Sequence, residues 1–354
     1  MRSVRTAHAV ITGLGTAVRG LPGPEGLLGP LPADHRRAGD PVSRLTGRGL
    51  RYKDRATKLA MVAARDALSA AGLTDEAGGL TVPGESVGVS ASTNYGNVDT
   101  VCETVRTIAE STYLATSPMM LPATSSNVVA SWIAITHGLR GANLTLCNGP
   151  TSGLDAVNWA RLLIASGRVE RMLVVGAEPD NPAVRHVADM PDLAPDGTSG
   201  APDLFDGAVA LVVESPESAE ARGVRPLAAV GAYARRGGHA DAVAKVRALH
   251  TGRVGLWCVP EHPEGVCAPA PALGAAAGSV PVHDLSALHG AASGALGVLQ
   301  CAAAAVWLDG RGGAGDDVVL VSAGIGDVGG DDASAALILT TPDAVVPRLA
   351  GSTR

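Results

Sequence analysis

Short apolar segments alternate with segments of helical periodicity along almost the whole chain, and this alternation limits the folds that are possible. The segments HAVITGLG, ESVGVSAST and RMLVVGAEP have the length and the β-branched content of buried strands. Between them, RATKLAMVAARDALSAAGL and TSGLDAVNWARLLIASG carry apolar residues at helical spacing and end at a glycine. Strands that alternate with helices in this way are typical of an α/β protein.

The second part of the chain repeats the order of the first part in a shorter form. After a charged connector, ESAEARGV, the sequence predicts the strand RPLAAVGAYA, the helix ADAVAKVRALHTG and the strand VGLWCVP. A long Ala-rich helix near residues 286–308 and the strands VVLVSAG and SAALILTT complete the pattern. The repeated order predicts two duplicated α/β halves, residues 1–215 and residues 216–354.

The composition narrows the classes of partner and cofactor. With 354 residues, 46% of them hydrophobic and 18% charged, the chain has the composition of a well-packed globular protein. A net charge of -6 and an aromatic content of 3% argue against nucleic acid or an anionic membrane as a partner. No signal peptide or membrane span is expected. The five cysteines show no metal-binding spacing, so we expect free thiols in a reducing cytoplasm, with neither metal nor cofactor.

The segment LCNGPTSGLDAV, residues 146–157, has the form of a corner that presents a nucleophile. An apolar strand, ANLTL, runs into small residues, and a helix then begins at a Ser-Gly pair. Enzymes of acyl transfer often place Cys or Ser at such a corner, because the free N–H groups of the helix stabilise a thiolate or an oxyanion. Here the corner holds Pro150, which is favoured in the first turn of a helix because its missing N–H costs nothing there.

The order of these motifs resembles the β-ketoacyl-acyl-carrier-protein synthases, the thiolase-fold condensing enzymes of fatty-acid and polyketide synthesis. The resemblance runs from about His8 to Leu339. VITGLG resembles the opening strand and turn of the family, and SPMMLPATSSNVVASWIAITHGLRGANLTL resembles its dimer-interface segment and the helix that follows. SGLDAVNWARLLIASGRVERMLVVGAEP resembles its central buried helix and strand. The resemblance implies a thiolase-like fold with a layered α-β-α-β-α core.

The resemblance also implies a Cys-His-His site, in which the cysteine takes the acyl chain and two histidines support decarboxylation of the malonyl unit. The family motif Ala-Cys-x-Ser-Gly reads GPTSG here, so Pro150 stands at the cysteine position. Matching LWCVPEH with the family's His-Gly-Thr strand places Pro260 at the first histidine. Matching GALG with the final glycine motif places Ala291 at the second histidine and Ser286 at a lysine. The chain therefore lacks the groups that the family uses for acyl transfer.

Two residues near the corner are weaker alternatives for a nucleophile. We expect Cys147 inside the strand as a small buried residue, and Ser152 as a cap at the start of the helix. An acylated Cys147 or an activated Ser152 hydroxyl remains open as the alternative. Within the helix, we expect Asp155 to pair with Arg161 or Arg140.

Two histidines lie close in sequence to the vacated positions. His289 is two residues before Ala291, so on a helix it points about 200° away from the required direction. We therefore expect a structural or surface histidine there, and a solvated loop residue at His262.

Three apolar residues have a possible role in a substrate tunnel. By the ungapped match, Met120 falls where the family places a side chain that crosses the dimer interface toward the partner's acyl pocket. Tyr95 falls at the inner end of that pocket, and Met119 is beside Met120 on a segment bounded by two prolines. Two prolines predict a rigid arm, and methionine adapts to irregular apolar space. Packing in the core is the alternative for these residues.

Three functions remain open from the sequence. The first is a non-catalytic partner of an active ketosynthase, resembling the chain-length factor of a type II polyketide synthase, which pairs as a heterodimer, meets an acyl carrier protein and shapes the tunnel for the acyl or polyketide chain. The chain departs from that subgroup by a proline where glutamine is often found. The second is a thiolase-fold acyltransferase or hydrolase that uses Cys147 or Ser152. The third is a homodimeric scaffold that binds carrier protein.

Overall fold

The structure, a computed structural model, describes residues 9–188, 203–250, 252–261, 280–310, 317–324 and 333–342. Its strands are β1 Ala9–Val18, β2 Val87–Ser92, β3 Asn143–Leu146, β4 Arg171–Glu178, β5 Gly207–Glu214, β6 Ala228–Arg236, β7 Arg253–Cys258, β8 Val282–His283, β9 Asp317–Ala323 and β10 Ser334–Thr340. Its α-helices are α1 Arg55–Ala70, α2 Val98–Glu110, α3 Val128–His137, α4 Ser152–Ala165, α5 Pro182–Ala188, α6 Pro216–Ala221, α7 His239–Leu249, α8 Leu285–His289 and α9 Leu296–Gly310.

The ten strands follow one another in the order β3-β2-β4-β5-β1-β6-β10-β9-β7-β8. The strands β1 and β6 form an antiparallel pair at the centre of this order. From β1 outward the strands are β5, β4, β2 and β3, and from β6 outward they are β10, β9, β7 and β8. The second half of the chain therefore repeats the strand order of the first half. The pairing directions also repeat: β2 is parallel to β3 and β4, and β7 is parallel to β8 and β9. This is the duplicated α/β architecture expected from the sequence. A domain boundary at residue 215 stays a prediction.

Alternate residues of the central strands face two different helix layers, which is why the core has five layers. In β5, Val209, Leu211 and Val213 face the central cluster, which contains the buried sides of α4 and α9. The residues between them face an outer cluster that contains α1 and α3. In β10 the same period of two divides the side chains between the central cluster and an outer layer with α7. The layers therefore run helix, sheet, helix, sheet, helix, as the thiolase-like fold implies.

The two central helices touch through glycine at their first turns. A Cβ atom added to Gly153 would lie 2.7 Å from the backbone nitrogen of Gly297, and one added to Gly297 would lie 2.4 Å from that of Leu154. Both distances are far shorter than a van der Waals contact, so no larger side chain fits while the helices stay in place. This contact sets the separation of α4 and α9, and hence the position of the two loops that precede them.

The predicted helix near 286–308 is in fact two helices, α8 and α9, with a break between them. Gly290 has a φ of 93°, a conformation that favours glycine, and Ala291 leaves the helical path to pair with the backbone on either side of Leu204. The Ala291 N–H donates to the Asp203 carbonyl at 2.8 Å, and the Phe205 N–H donates to the Ala291 carbonyl at 3.0 Å. A partner almost ninety residues away in sequence interrupts the helix, and local periodicity contains no sign of it.

Several local predictions need correction. The helices α2, α5 and α6 were not predicted; α6 lies in the segment interpreted as a connector. Asn127, directly before α3, is a residue type that often caps a helix, but its amide oxygen instead accepts a bond from Ser125 Oγ at 2.6 Å. The apolar residues of α2 recur at positions 101, 105 and 108, a helical spacing that could have identified it.

No helix within the described ranges is long and apolar enough to cross a membrane. The same residues contain no group of three or more His, Cys, Asp or Glu side chains that could hold a metal ion. Cys102, Cys147, Cys258 and Cys301 are free thiols, whereas Cys267 lies outside the described residues.

We predict that Gly153→Ala lowers the free energy of unfolding by about 1–3 kcal/mol, because the added methyl group must push two helix backbones apart. Urea denaturation followed by circular dichroism measures the loss. Gly39→Ala is the matched control, since a Cβ atom there meets nothing within 4 Å. Equal stability of the two variants would contradict a close backbone contact between α4 and α9.

Candidate functional site

The corner at Pro150 is built from a short turn between β3 and α4. Gly149, with a φ of 81°, begins a 3-10 helix, Gly149–Thr151, that leads directly into α4. Pro150 is exposed, whereas Thr151 and Ser152 are buried. The chain therefore has the strand–turn–helix geometry that presents a nucleophile, and a side chain without a reactive group stands at its exposed point.

The Ser152 hydroxyl is enclosed by polar groups of its own loop. Its Oγ accepts a bond from the Asn148 N–H at 2.8 Å, and the Gly149 carbonyl lies 2.8 Å away as an acceptor for its proton. Amide oxygens of Asn148 and Asn94 lie at 3.0 and 3.2 Å. Within the described residues, no histidine or carboxylate is a hydrogen-bond partner of this hydroxyl. Ser152 therefore has a bonding pattern that fixes the turn and lacks the base that a serine nucleophile requires.

The expected position of Cys147 is wrong, because the residue lies beyond the end of β3 and its side chain is exposed. Partial burial of the thiol, and then the carboxylate of Glu178, raise the pKa of Cys147 above its ordinary value. A raised pKa keeps the sulfur protonated near neutral pH, which is the opposite of an activated cysteine.

Asp155 pairs with neither of the arginines expected from the sequence. Its carboxylate accepts bonds from Asn148 Nδ2 at 2.5 Å, Thr151 Oγ1 at 2.9 Å and the Tyr233 hydroxyl. Arg235 Nε lies 3.7 Å away. Burial and the Asp155 carboxylate raise the pKa of Tyr233. Since Tyr233 belongs to β6, this network ties the corner to the second half of the chain.

The two arginines that were expected to pair with Asp155 have other contacts. Arg140 forms an exposed ion pair with Glu85 at 3.1 Å, and Arg161 donates to the side chain of Asn158 at 2.9 Å.

The two positions that the sequence analysis matched with the family's histidines lie on two neighbouring loops. Pro260 is buried just after β7, and Ala291 is in the break between α8 and α9. Ser286, at the lysine position, lies within α8. His289 is buried, its Nε2 lies 3.0 Å from the Leu27 carbonyl, and burial lowers its pKa. His262 lies outside the described residues.

Asn94 connects the corner to the loop that precedes α9. Its Nδ2 donates to the Gly149 carbonyl at 3.1 Å and to Ser293 Oγ at 2.9 Å, and its Oδ1 accepts a bond from the Gly149 N–H at 3.3 Å. The structure thus brings together the segments around Pro150 and Ala291.

Tyr95 directly follows Asn94 in this connection, and Met119 and Met120 lie on a separate segment. Burial and then the Glu178 carboxylate raise the pKa of Tyr95, while a hydrogen bond with Ser293 opposes the rise. Met119 is exposed and Met120 half-buried on a turn-rich arm that packs against α2 and α3. A tunnel role for these three residues stays a prediction.

Glu178, which the sequence analysis missed, is the most enclosed acidic group of the site. Its carboxylate accepts bonds from the N–H groups of Asn94 at 2.6 Å, Tyr95 at 3.0 Å and Gly294 at 3.1 Å, and from Thr93 Oγ1 at 3.2 Å. Burial raises the pKa of Glu178 to about 8, although these four bonds oppose the rise. A charged residue at the end of the apolar strand RMLVVGAE was the signal in the sequence.

Glu261 is the second acidic residue of the site. Its Oε1 accepts hydrogen bonds from the backbone N–H groups of Ala292 and of Ser293, the latter at 2.6 Å. The sequence analysis placed no function here, although an acidic residue directly after Pro260 was visible in LWCVPEH.

Comparison with known proteins agrees with this geometry. The family model of the β-ketoacyl synthase N-terminal domain matches residues 28–203. A solved structure, the ishigamide ketosynthase/chain length factor, superposes with a TM-score of 0.69 at 25% identity, over 94% of this chain and 99% of that chain. The chain belongs to the β-ketoacyl synthase superfamily.

Two further comparisons show how far the similarity of this ketosynthase-like chain extends. A structure of a type II polyketide synthase acyl carrier protein in complex with its ketosynthase bound to the hexaketide, AntDE:AntF, has a TM-score of 0.75 over 96% of this chain and 100% of that chain, and at 15% identity it shows the fold alone. The 3-oxoacyl-[acyl-carrier-protein] synthase 2 of Vibrio harveyi is 30% identical over 165 residues, 43% of this chain. The ketosynthase-like chain thus spans 40% of the length of that curated relative.

We predict that the stability of the ketosynthase-like chain falls as the pH rises from about 4.5 to about 8. Since burial raises the pKa of Glu178 in the folded state, the folded chain keeps a proton that the unfolded chain releases above about pH 4.5. The stabilisation is complete below that pH and is lost as the pH approaches 8, by a few kcal/mol in all. Glu178→Gln, which does not titrate, should lack this contribution. Thermal unfolding between pH 5 and 9 measures the pH dependence of stability for wild type and for Glu178→Gln. Glu85→Gln, a change at an exposed residue, is the control. Parallel pH profiles of wild type and Glu178→Gln would contradict the prediction.

Proposed function

We propose that the chain is a catalytically degenerate ketosynthase-like subunit that pairs with an active ketosynthase in type II polyketide or fatty-acid-like biosynthesis, and that it shapes the tunnel for the growing chain. The observation that carries the proposal is the corner at Pro150, which keeps the geometry of a nucleophile corner but holds proline. Neither neighbouring nucleophile is activated: Ser152 is bonded to its own loop, and the pKa of Cys147 is raised. The proposal therefore assigns the acyl transfer to another polypeptide.

The distribution of exposed apolar side chains supports a protein partner. Among the described residues, ten of the twelve exposed large hydrophobic side chains lie between residues 101 and 162. They are Val101, Val105, Ile108, Tyr113, Leu114, Met119, Leu121, Ile135, Trp159 and Leu162. Exposed apolar side chains of this number are what a protein partner would cover. The segment also includes β3, the strand at one end of the strand order, whose outer edge has no strand beside it in the described part of the chain.

An active ketosynthase is the partner we propose for this surface, rather than a second copy. The similarity to the ishigamide ketosynthase/chain length factor covers almost the whole chain and supports a complex of that kind. An acyl carrier protein is the second proposed partner, since the AntDE:AntF structure combines a carrier protein with a ketosynthase of the same fold. Their tethered acyl or polyketide chain is the proposed occupant of the tunnel.

We predict that the chain alone forms no acyl–enzyme and no β-ketoacyl product from acyl and malonyl carrier proteins. Intact-protein mass spectrometry measures the acylation, and co-expression with candidate ketosynthases followed by size-exclusion chromatography tests the pairing. A stable heteromer with one ketosynthase is expected. Acylation of Cys147 or Ser152 would favour an acyltransferase or hydrolase, and a homodimer that ignores every ketosynthase would favour a carrier-binding scaffold.

Pro150→Cys is the control variant for this test. The substitution places a thiol at the N-terminus of α4, which lowers a thiol pKa and permits alkylation by iodoacetamide. It supplies no base, however, so turnover is not expected. Chain elongation by this variant at the rate of a working ketosynthase would overturn the assignment of the histidine positions to Pro260 and Ala291.

We predict that Met120 limits product length across the heterodimer interface. Met120→Ala should open a few tens of Å³ and lengthen the product by about one or two methylenes, whereas Met120→Trp should shorten it. Product lengths from the reconstituted complex are compared by mass spectrometry. Met119→Ala is the comparison on the same arm, because Met119 is the more exposed of the pair. Unchanged lengths in both Met120 variants, with the complex intact, would remove Met120 from the tunnel.

A further inference from the structure

Glu261 joins the two segments that carry the vacated histidine positions. It directly follows the buried Pro260, and its Oε1 accepts bonds from the N–H groups of Ala292 and Ser293, which directly follow Ala291. One carboxylate oxygen thus takes two neighbouring backbone donors on a different loop, thirty-one and thirty-two residues further along the chain.

These two N–H groups are well placed to hold a negative charge. They stand at the start of the 3-10 helix Ser293–Ala295, which continues into the 15-residue helix α9, so they lie at the positive end of its dipole. The hydrogen bond from Asn94 Nδ2 to Ser293 Oγ fixes the position of the loop. Ser293 is also the one described non-glycine residue with a positive φ, 42°. A residue with a side chain rarely adopts this conformation, so other contacts must hold the loop in place.

We infer that the amides of Ala292 and Ser293 form a subsite for a carboxylate, and that Glu261 fills it in place of an external carboxylic acid. The ligand class is a small aliphatic carboxylate such as acetate or malonate, because the two N–H groups bind a single carboxylate oxygen. In the intact chain the side chain of Glu261 excludes such a ligand.

This inference rests on the contacts of Glu261, and only its biological consequence rests on the proposed function. A malonyl carboxylate that entered this site would meet the bound carboxylate of Glu261 and would find both amide donors occupied. Like charges at such short distance repel strongly in a partly buried site. The extender unit would therefore be decarboxylated only at the site of the partner ketosynthase.

The test is rescue of Glu261→Ala by free carboxylates, which needs no ketosynthase and no carrier protein. Thermal unfolding of the full chain is measured in acetate, in malonate and in chloride of equal ionic strength, at one pH. A ligand that binds only the folded state raises the melting temperature, and for a chain of this length the rise is about 2 °C at ten times the dissociation constant. For Glu261→Ala we expect the melting temperature to rise to a plateau with increasing acetate or malonate. For wild type we expect the melting temperature in acetate or malonate to equal that in chloride.

Glu85→Ala is the matched control, since Glu85 is an exposed carboxylate paired with Arg140 on the surface. Equal responses of Glu261→Ala, Glu85→Ala and wild type would overturn the inference. If Glu261→Ala fails to fold in chloride, its soluble yield on refolding in acetate is measured instead. A higher yield in acetate than in chloride supports the subsite, and an equal yield overturns it. Failure of the proposed function would show instead in the pairing and acylation experiments, which leave this readout unchanged.

Discussion

The position of every group in the site depends on the contact between Gly153 and Gly297, where the two central helices begin. Because neither residue has a side chain, the backbones of α4 and α9 meet directly, and a Cβ atom on either glycine would overlap the other helix. The loop with Pro150 precedes one helix, and the loop with Ala291 precedes the other. Their first turns are therefore fixed side by side, and Asn94 completes the junction by bonding to both loops. This backbone arrangement does not depend on the side chains at Pro150 and Ala291.

Much of the fold could be predicted from the sequence because it depends on local periodicity. Strands buried on two faces and helices with apolar stripes are visible in any short window, and their order predicted a duplicated α/β chain. The errors share a different cause. The break in the helix near residue 290 and the bond from Tyr233 to Asp155 depend on contacts between distant segments, so no local window contains them.

The site was predictable only in its backbone form. The corner at Pro150 could be recognised because a strand, small residues and a helix start follow one another in the sequence. The environment of Cys147 could not, because β3 ends one residue earlier than its apolar pattern suggests and lies at the end of the strand order. The roles of Glu178 and Glu261 depend on hydrogen bonds from backbone N–H groups. Almost every residue type has such a group, so the sequence does not indicate which residues donate.

The hydrogen bonds of the site agree with the proposed lack of acyl transfer. Condensation develops negative charge on a thioester oxygen and on an enolate, and enzymes stabilise that charge with prearranged N–H donors. In this chain Glu178 takes the N–H groups of Asn94, Tyr95 and Gly294, and Glu261 takes those of Ala292 and Ser293. These five donors at the junction of the two loops are thus already bonded to acidic side chains. A cysteine in place of Pro150 would therefore find these five N–H groups already bonded to acidic side chains.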